Sequence, residues 1–306
     1  AQRDLLTATQ VLGRNFRASI DDVAGDSLLL ASLPATQVIA GTDVVTDNDK
    51  KGLVDVFSAL LSVHPEYFQI RLIGADDNGL ELVRVDRDGD KLARIPAFDL
   101  QEKGHYPYVF NTLKLSRGQV HLSEITINHE MGAHSGLHRP TVRVATPIVA
   151  ADGKARGLIV INLDLNSLFA RLKSDLPNAY QVYLSNHWGD YLIHPDPAAV
   201  FGFDAGRRIL IQEFFAPVLS LINGQSASVV TNIEATQQAD SGLVAAFVRL
   251  PFGGSVDKSF VILGLSQPLE NVVRETRQLG RTTIQMILLL GLLAIVLAAL
   301  VSRAVT

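Results

Sequence analysis

Residues 67–89, YFQIRLIGADDNGLELVRVDRDG, set two guanidiniums, an amide, a phenol and a carboxylate at alternating positions along two strand-like runs. Tyr67, Gln69 and Arg71 alternate with Phe68, Ile70 and Leu72, which is the period-two pattern of a strand with one polar and one apolar face. With Asn78-Gly79 as a two-residue type I′ turn, Ile73 faces Arg84 and Arg71 faces Asp86. One face then gathers Tyr67, Gln69, Arg71, Arg84 and Asp86, while Phe68, Ile70, Leu72, Val83 and Val85 make the other face core. Two chemistries suit the polar face. Arg71 and Asp86 can form a cross-strand ion pair on a solvated surface, contributing about 0.2–1 kcal/mol. Alternatively Arg71 and Arg84 floor a pocket and grip a carboxylate or phosphate with their planar donor forks. Lys103 and Arg143 are further cationic candidates, and Asn128, Glu130 and Asp164 are polar ones.

Other clusters point to catalysis less well. NHEMGAHSGLH, residues 128–138, crowds His129, Glu130, His134 and His138, but the zincin motif needs its second histidine at i+4 on a helix. Here it comes at i+5, and Gly132 and Gly136 oppose a helix, so the expectation is a surface loop; a metallohydrolase built on His129–His138 is the alternative of a different class. HWGDYLIHPDP, residues 187–197, reads as a tight turn followed by a strand that ends at Pro195. No Gly-x-Ser-x-Gly elbow, P-loop or dinucleotide fingerprint occurs, so no catalytic residue and no cofactor is expected.

The elements that hold these residues belong to a chain of 306 residues, 47% apolar and 19% charged, which suits about two packed domains. A net charge of −4 and the lack of a Lys/Arg block exclude an electrostatic footprint for nucleic acid. Cys is absent, which removes disulfides, thiolate nucleophiles and Cys-based zinc sites. Ile284 to Val301 (IQMILLLGLLAIVLAALV) is apolar except for Gln285 and predicts a membrane-spanning helix, since roughly 20 such residues cross about 30 Å of hydrocarbon. An exported domain needs a signal or an upstream span, so a first span ahead of Ala1 is expected.

Val11, Leu12, Phe16, Ile20 and Val23 repeat at helical spacing and predict one long amphipathic helix up to about residue 33, with Pro34 as its stop. A second helix is predicted from Asp49 to Ser62, burying Leu53, Val56, Phe57, Leu60 and Leu61. Strands are predicted at Val120–Ser123, Val142–Thr146 and Leu158–Leu163, and a short helix at Asn166–Lys173. The pattern then repeats. QIRLIGADDNGLELVR from Gln69 is echoed by QVYLSNHWGDYLIH from Gln181, and the segments around Pro147 and Pro251 both read strand, polar loop, strand, helix. The positions matching Arg71 and Arg84 are Tyr183 and His194, so the paired guanidiniums belong to the first repeat alone.

The phrases YFQIRLIG…GLELVRVDR, VHLSEITINHE…HRPTVRVATPIVAADGKARGLIVINLD and VYLSNHWGDYLIHPDPAAVFGFD resemble the double Cache (dCache) extracytoplasmic sensor domain of bacterial transmembrane histidine kinases. The resemblance covers nearly all of the chain before residue 284. It lacks the Arg-x-Trp-Tyr run of amino-acid-binding members, the single tryptophan being Trp188. It implies an α+β fold in which a long N-terminal helix carries two PAS-like antiparallel-sheet modules. The expected divisions are 1–48 for the signalling helix and linker, 49–175 for a membrane-distal module, 176–270 for a membrane-proximal module and 271–303 for stalk and span. It also implies a periplasmic sensor anchored in the inner membrane, with residues 1–281 extracytoplasmic. The expected partners are a small anionic ligand in the distal module, the membrane and a second copy of the chain along the first helix. Chemoreceptor and diguanylate cyclase outputs are alternatives to the kinase.

Overall fold

The computed structural model describes residues 2–42, 45–128, 139–174, 176–204, 206–234, 242–253, 259–269 and 286. Small or apolar side chains recur every three or four positions through Leu5, Thr9, Leu12, Phe16, Ile20, Val23, Ser27 and Leu30, and this stripe is the buried face of helix α1 (Gln2–Ser32). Pro34 does more than stop it. Its fixed φ suits a first helical turn, and α2 (Pro34–Gly41) starts there after a bend of 64°. Helix α3 (Asp47–Val63) opens on a capping box, in which the Thr46 N–H donates to the Asp49 carboxylate at 2.9 Å while the Thr46 hydroxyl accepts from the Asp49 N–H. It buries Leu53, Val54, Phe57 and Leu61, whereas Val56, expected inside, is 40% exposed. At about 100° per residue the buried stripe centres between Leu53 and Leu61, and Val56 falls beyond its edge.

The first sheet begins with β1 (Tyr67–Gly74), β2 (Glu81–Asp88) and β3 (Lys91–Arg94). After the short helix α4 (Pro107–Thr112) come β4 (His121–Leu122), β5 (Thr126–Ile127), β6 (Pro140–Val149) and β7 (Ala155–Asp164). The strand order is β3-β2-β1-β7-β6-β4, with β5 also paired to β6. Helix α5 (Leu165–Lys173) leads to the second sheet, made of β8 (Gln181–Ser185), β9 (Tyr191–Ile193), β10 (Ser228–Ile233), β11 (Leu243–Pro251) and β12 (Phe260–Pro268) in the order β10-β11-β12-β8-β9. Both sheets join an opening hairpin to a closing hairpin by pairing the first strand with the last, β1 with β7 and β8 with β12, all antiparallel. Gln69 lies opposite Asn162 in one sheet and Gln181 opposite Ser266 in the other. The duplicated pattern in the sequence is therefore a duplicated sheet.

Helix α1 lies against both sheets. Phe16 packs 5.3 Å from the Phe169 ring of α5 and 6.1 Å from Phe252, just past β11. At Gly13 a Cβ would sit 3.0 Å from the Leu250 side chain, so the missing side chain lets the helix approach β11 closely. One continuous apolar core runs from α1 into both sheets. The stripe expected to be open to a second copy is thus occupied within the chain: Leu12, Phe16, Ile20 and Val23 are buried, and Val11 is left at the exposed edge. Among the described residues no single helix is long and apolar enough to cross a membrane. The expected span at 284–301 lies outside the described residues apart from Met286.

Candidate functional site

The hairpin that carries the polar face is built with two irregularities. Gln69 pairs with Asp86, Arg71 with Arg84 and Ile73 with Glu81, and the register shifts between Leu72 and Ile73. This differs by two residues from the register of a two-residue turn, because the tip is longer: Asp77, Asn78 and Gly79 all have positive φ. A shift of two preserves which face each residue takes, so Gln69, Arg71, Arg84 and Asp86 share one face as expected. Tyr67 does not join them. A second register shift between Tyr67 and Gln69 turns its ring toward α1, where its hydroxyl donates to Asp26 Oδ2 at 2.8 Å. Burial, with the Asp26 carboxylate beside it, pushes the Tyr67 phenol far above its usual pKa.

The remaining face meets neither bulk water nor open space at its centre. Arg71 is fully buried, and Glu81, Arg84 and Asp86 nearly or wholly so. Glu81 bridges the guanidiniums, with Arg71 Nη1 at 3.3 Å and Arg84 Nη1 at 3.4 Å. Arg84 also grips Asp86 through Nε at 2.9 Å and Nη2 at 2.7 Å. Gln69 Nε2 donates to Asp86 at 2.9 Å, Asn162 donates to Gln69 Oε1 at 2.9 Å, and Arg71 Nη2 donates to Asn162 Oδ1 at 3.1 Å. Burial works against the Arg84 charge, and the Asp86 and Glu81 carboxylates outweigh it, so this guanidinium holds its proton more tightly than usual. Glu81 and Asn162 were not among the residues expected from sequence. A polar Asn in the apolar run Leu158–Leu163 was the available signal for one of them.

Lys103 reaches the same region from the loop before α4. Its N–H donates to Gly79 O at 2.8 Å and the Gly104 N–H donates to Asn78 O at 2.7 Å, a backbone crossing where a Cβ on either glycine would collide. Lys103 is buried there, donates to Gln101 Oε1 at 2.8 Å and lies 5.2 Å from the Tyr106 ring. On α4 the Tyr108 ring lies against two guanidiniums, Arg71 at 5.4 Å and Arg143 at 5.3 Å. Arg143 donates to Asn128 Oδ1 at 3.0 Å and to Thr126 Oγ1 at 3.4 Å. Asp164 stands apart: it caps α5, accepting from the Asn166 N–H at 2.9 Å, and pairs with Arg139 at 3.4 Å. Glu130 and the rest of the histidine-rich loop, 129–138, lie outside the described residues.

A cleft of ≈ 960 Å³ opens beside this network, between α4 with β4–β6 on one side and the β8–β9 turn with β12 on the other. Among the described residues Arg143 is the one expected site residue that lines it, flanked by Tyr106 and Tyr108. Trp188, Asp190, Arg208 and Phe260 line the opposite side. Arg208 grips Asp190 bidentately, Nε to Oδ1 at 2.7 Å and Nη2 to Oδ2 at 2.8 Å, and Asn186 donates to Oδ2 at 3.0 Å. Burial raises the Asp190 pKa, but these hydrogen bonds outweigh it and hold the carboxyl below its usual range. The unfolded chain therefore takes up this proton at a higher pH than the folded one. The contribution of Asp190 to stability is expected to be complete above the unfolded carboxyl's pKa of about 4 and to disappear as pH falls through the lower folded value. Melting temperatures between pH 7 and pH 2 check this, since Asp190→Asn should lose the difference from wild type at the acid end.

The family model for the bacterial histidine kinase sensor domain matches residues 14–214. The chain belongs to that family. Solved structures agree in fold. The extracellular domain of vpHK1S-Z8, assigned as a histidine kinase, is 17% identical with a TM-score of 0.70, over 89% of this chain and 97% of that one. A domain assigned to a sensory box/GGDEF family protein of Vibrio parahaemolyticus is 18% identical with a TM-score of 0.72, over 88% of this chain and 96% of that one. The ligand-binding domain of the Pseudomonas aeruginosa amino acid chemoreceptor PctC, in complex with GABA, is 15% identical with a TM-score of 0.55, over 87% and 99%. No curated protein matches the sequence. The double Cache resemblance is thus borne out: this is a sensor domain with the fold of extracellular histidine kinase and chemoreceptor domains.

In this sensor domain the two sheets treat their matching positions differently. The second sheet packs Tyr183 against Phe215 at 5.4 Å and Phe247 at 6.1 Å, with Tyr191 alongside at 6.2 Å. Gly264 opposite Phe247 leaves room for that ring to lie on the sheet, where a Cβ would overlap it. Burial beside these rings pulls the His194 imidazole below its usual pKa. Where the first sheet carries ion pairs, the second is filled with rings.

Proposed function

We propose that the chain is the periplasmic sensing region of an inner-membrane two-component histidine kinase that works as a homodimer. In this reading residues 1–48 form the signalling helix and linker, 49–175 the membrane-distal module, 176–270 the membrane-proximal module and 271–303 the stalk and span. The distal module binds a small anionic ligand. The observation that carries this is Arg143, 6% exposed, whose guanidinium lies against Tyr108 at the wall of the cleft. Arg71, Arg84 and Lys103 lie behind that wall with Glu81 and Asp86, and Glu124, Asp190 and Arg208 line the cleft itself, so it is the position of the Arg143 fork at the wall, not an excess of positive charge, that supports an anion. Arg71 and Arg84 act in this reading by fixing Tyr108 and the sheet rather than by touching the ligand. Two structural neighbours hold small molecules that bear a carboxylate, GABA in PctC and L-Arg in PctB. Signalling follows if the ligand binds one of two conformations more tightly, and α1, packed on both sheets, offers a route between them.

The test is a thermal-shift screen with carboxylates, phosphates and sugars. A true ligand at 100 times its Kd should stabilise the fold by about 2.7 kcal/mol. Arg143→Ala should abolish that shift. If no anion raises the melting temperature, or Arg143→Ala keeps the full effect, the binding reading fails.

A further inference from the structure

We infer that the second-sheet wall of the cleft is a subsite for an uncharged planar ring, aromatic or heteroaromatic, held against Trp188 and Phe260 by stacking and burial rather than by charge. This rests on the reading above only in taking the cleft as the ligand site, and it makes no use of the charge assigned to the ligand there. The first reason is that the ion pair of this wall is already made. Arg208 and Asp190 close on each other through hydrogen bonds of 2.7 and 2.8 Å, and Asn186 donates to the same carboxylate at 3.0 Å. A charged ligand group would have to break that pair to use either member. Much of the remaining wall is carbon, from Trp188, Leu192, Phe252, Phe260 and Val261.

The second reason is where the exposed ring stands. Trp188 is 62% exposed, while Leu192, Phe252 and Val261 on the same wall are buried. A lone apolar side chain on a convex surface needs no explanation. This one lines a concavity of ≈ 960 Å³, within the roughly 300–1,000 Å³ typical of organic-ligand sites, and the Tyr106 and Tyr108 rings line the wall opposite. An occupant therefore meets apolar carbon on both sides.

The third reason is that the rings are set in advance. The Trp188 N–H donates to Asn186 Oδ1 at 2.9 Å and its carbonyl accepts from Gln212 Nε2 at 3.2 Å. Gly189, at φ 93°, permits this clamp, since a Cβ there would overlap the Gln212 amide. The His187 ring lies 4.7 Å from Trp188 and 6.1 Å from Phe260, and Phe260 is backed by the Arg249 guanidinium 3.8 Å from its ring centre. Rings fixed before binding lose little entropy when covered. Ring-on-ring contact also contributes beyond the area it buries, which favours a planar ring over a saturated one of the same size.

The full chain is titrated calorimetrically with benzyl alcohol and with cyclohexylmethanol, two uncharged probes of similar size that differ in having a planar or a puckered ring. Trp188 is the chain's only tryptophan, so its emission is followed alongside. Benzyl alcohol should change the emission saturably and bind about two- to tenfold more tightly than cyclohexylmethanol. Trp188→Leu, which keeps an apolar side chain at a mostly exposed position, should bring the two probes to within about twofold of each other. If cyclohexylmethanol binds as tightly as benzyl alcohol, if Trp188→Leu keeps the preference, or if neither alcohol saturates, this inference falls. None of these results touches the anion reading, which is decided by charged probes and Arg143→Ala.

Discussion

Glu81→Ala is expected to lower the unfolding free energy by about 3–5 kcal/mol, the cost of leaving buried cations without their carboxylate. Glu81 is fully buried, touches both Arg71 and Arg84 and accepts from the Gln101 N–H at 3.2 Å, so its removal takes a carboxylate away from each guanidinium. Desolvating those cations is already expensive, since Arg71 and Arg84 are buried in the sheet. Domains are stable by only about 5–15 kcal/mol, so the loss would be visible as a large drop in the urea midpoint. A combined replacement of Arg71 and Glu81 by Met should recover much of the loss, because a buried pair exchanged for apolar side chains of similar size is often neutral. A Glu81→Ala protein within about 1 kcal/mol of wild type would mean that this carboxylate is solvated.

Gly264→Ala carries the second large effect, about 2–3 kcal/mol from overpacking. The added methyl points into the Phe247 ring, which is fully buried and packed against Tyr183 and Phe215. Phe247→Leu alone should also destabilise, by opening a cavity. Together the two changes should be less harmful than their sum, because the smaller side chain leaves room for the methyl. A double-mutant cycle by chemical denaturation measures this. Strictly additive losses would place the strain elsewhere than at the ring.

Periodicity made the sheets legible because inward and outward alternation is imposed by the backbone itself. The runs at Val142–Thr146 and Leu158–Leu163 became β6 and β7, each extended by two or more residues at one or both ends. The repeat at Gln69 and Gln181 likewise became two sheets that share a strand order, β2-β1-β7-β6-β4 in the first matching β9-β8-β12-β11-β10 in the second, with β3 added at the edge of the first. What alternation could not reveal was where it breaks. Counting by twos puts Tyr67 with Gln69 and puts Glu81 on the face away from Arg84, yet shifts at Tyr67/Gln69 and Leu72/Ile73 reverse both assignments. Such irregularities leave no period in the sequence. The cleft was hidden for another reason. Its walls come from segments far apart in the chain, and Trp188 looked like an ordinary turn residue until the fold brought it across from Arg143.

The unbroken run of α1 under both sheets has a geometric consequence. Each residue advances the helix by about 100° and 1.5 Å, so the number of residues between Leu5 and Leu30 sets the angle at which one sheet is presented to the other. An extra residue after Phe16 would swing Ile20, Val23 and Leu30 about a quarter-turn off their seats while leaving Leu5 and Leu12 seated. The helix thus acts as a ruler and a protractor at once, and its length is constrained as tightly as its composition.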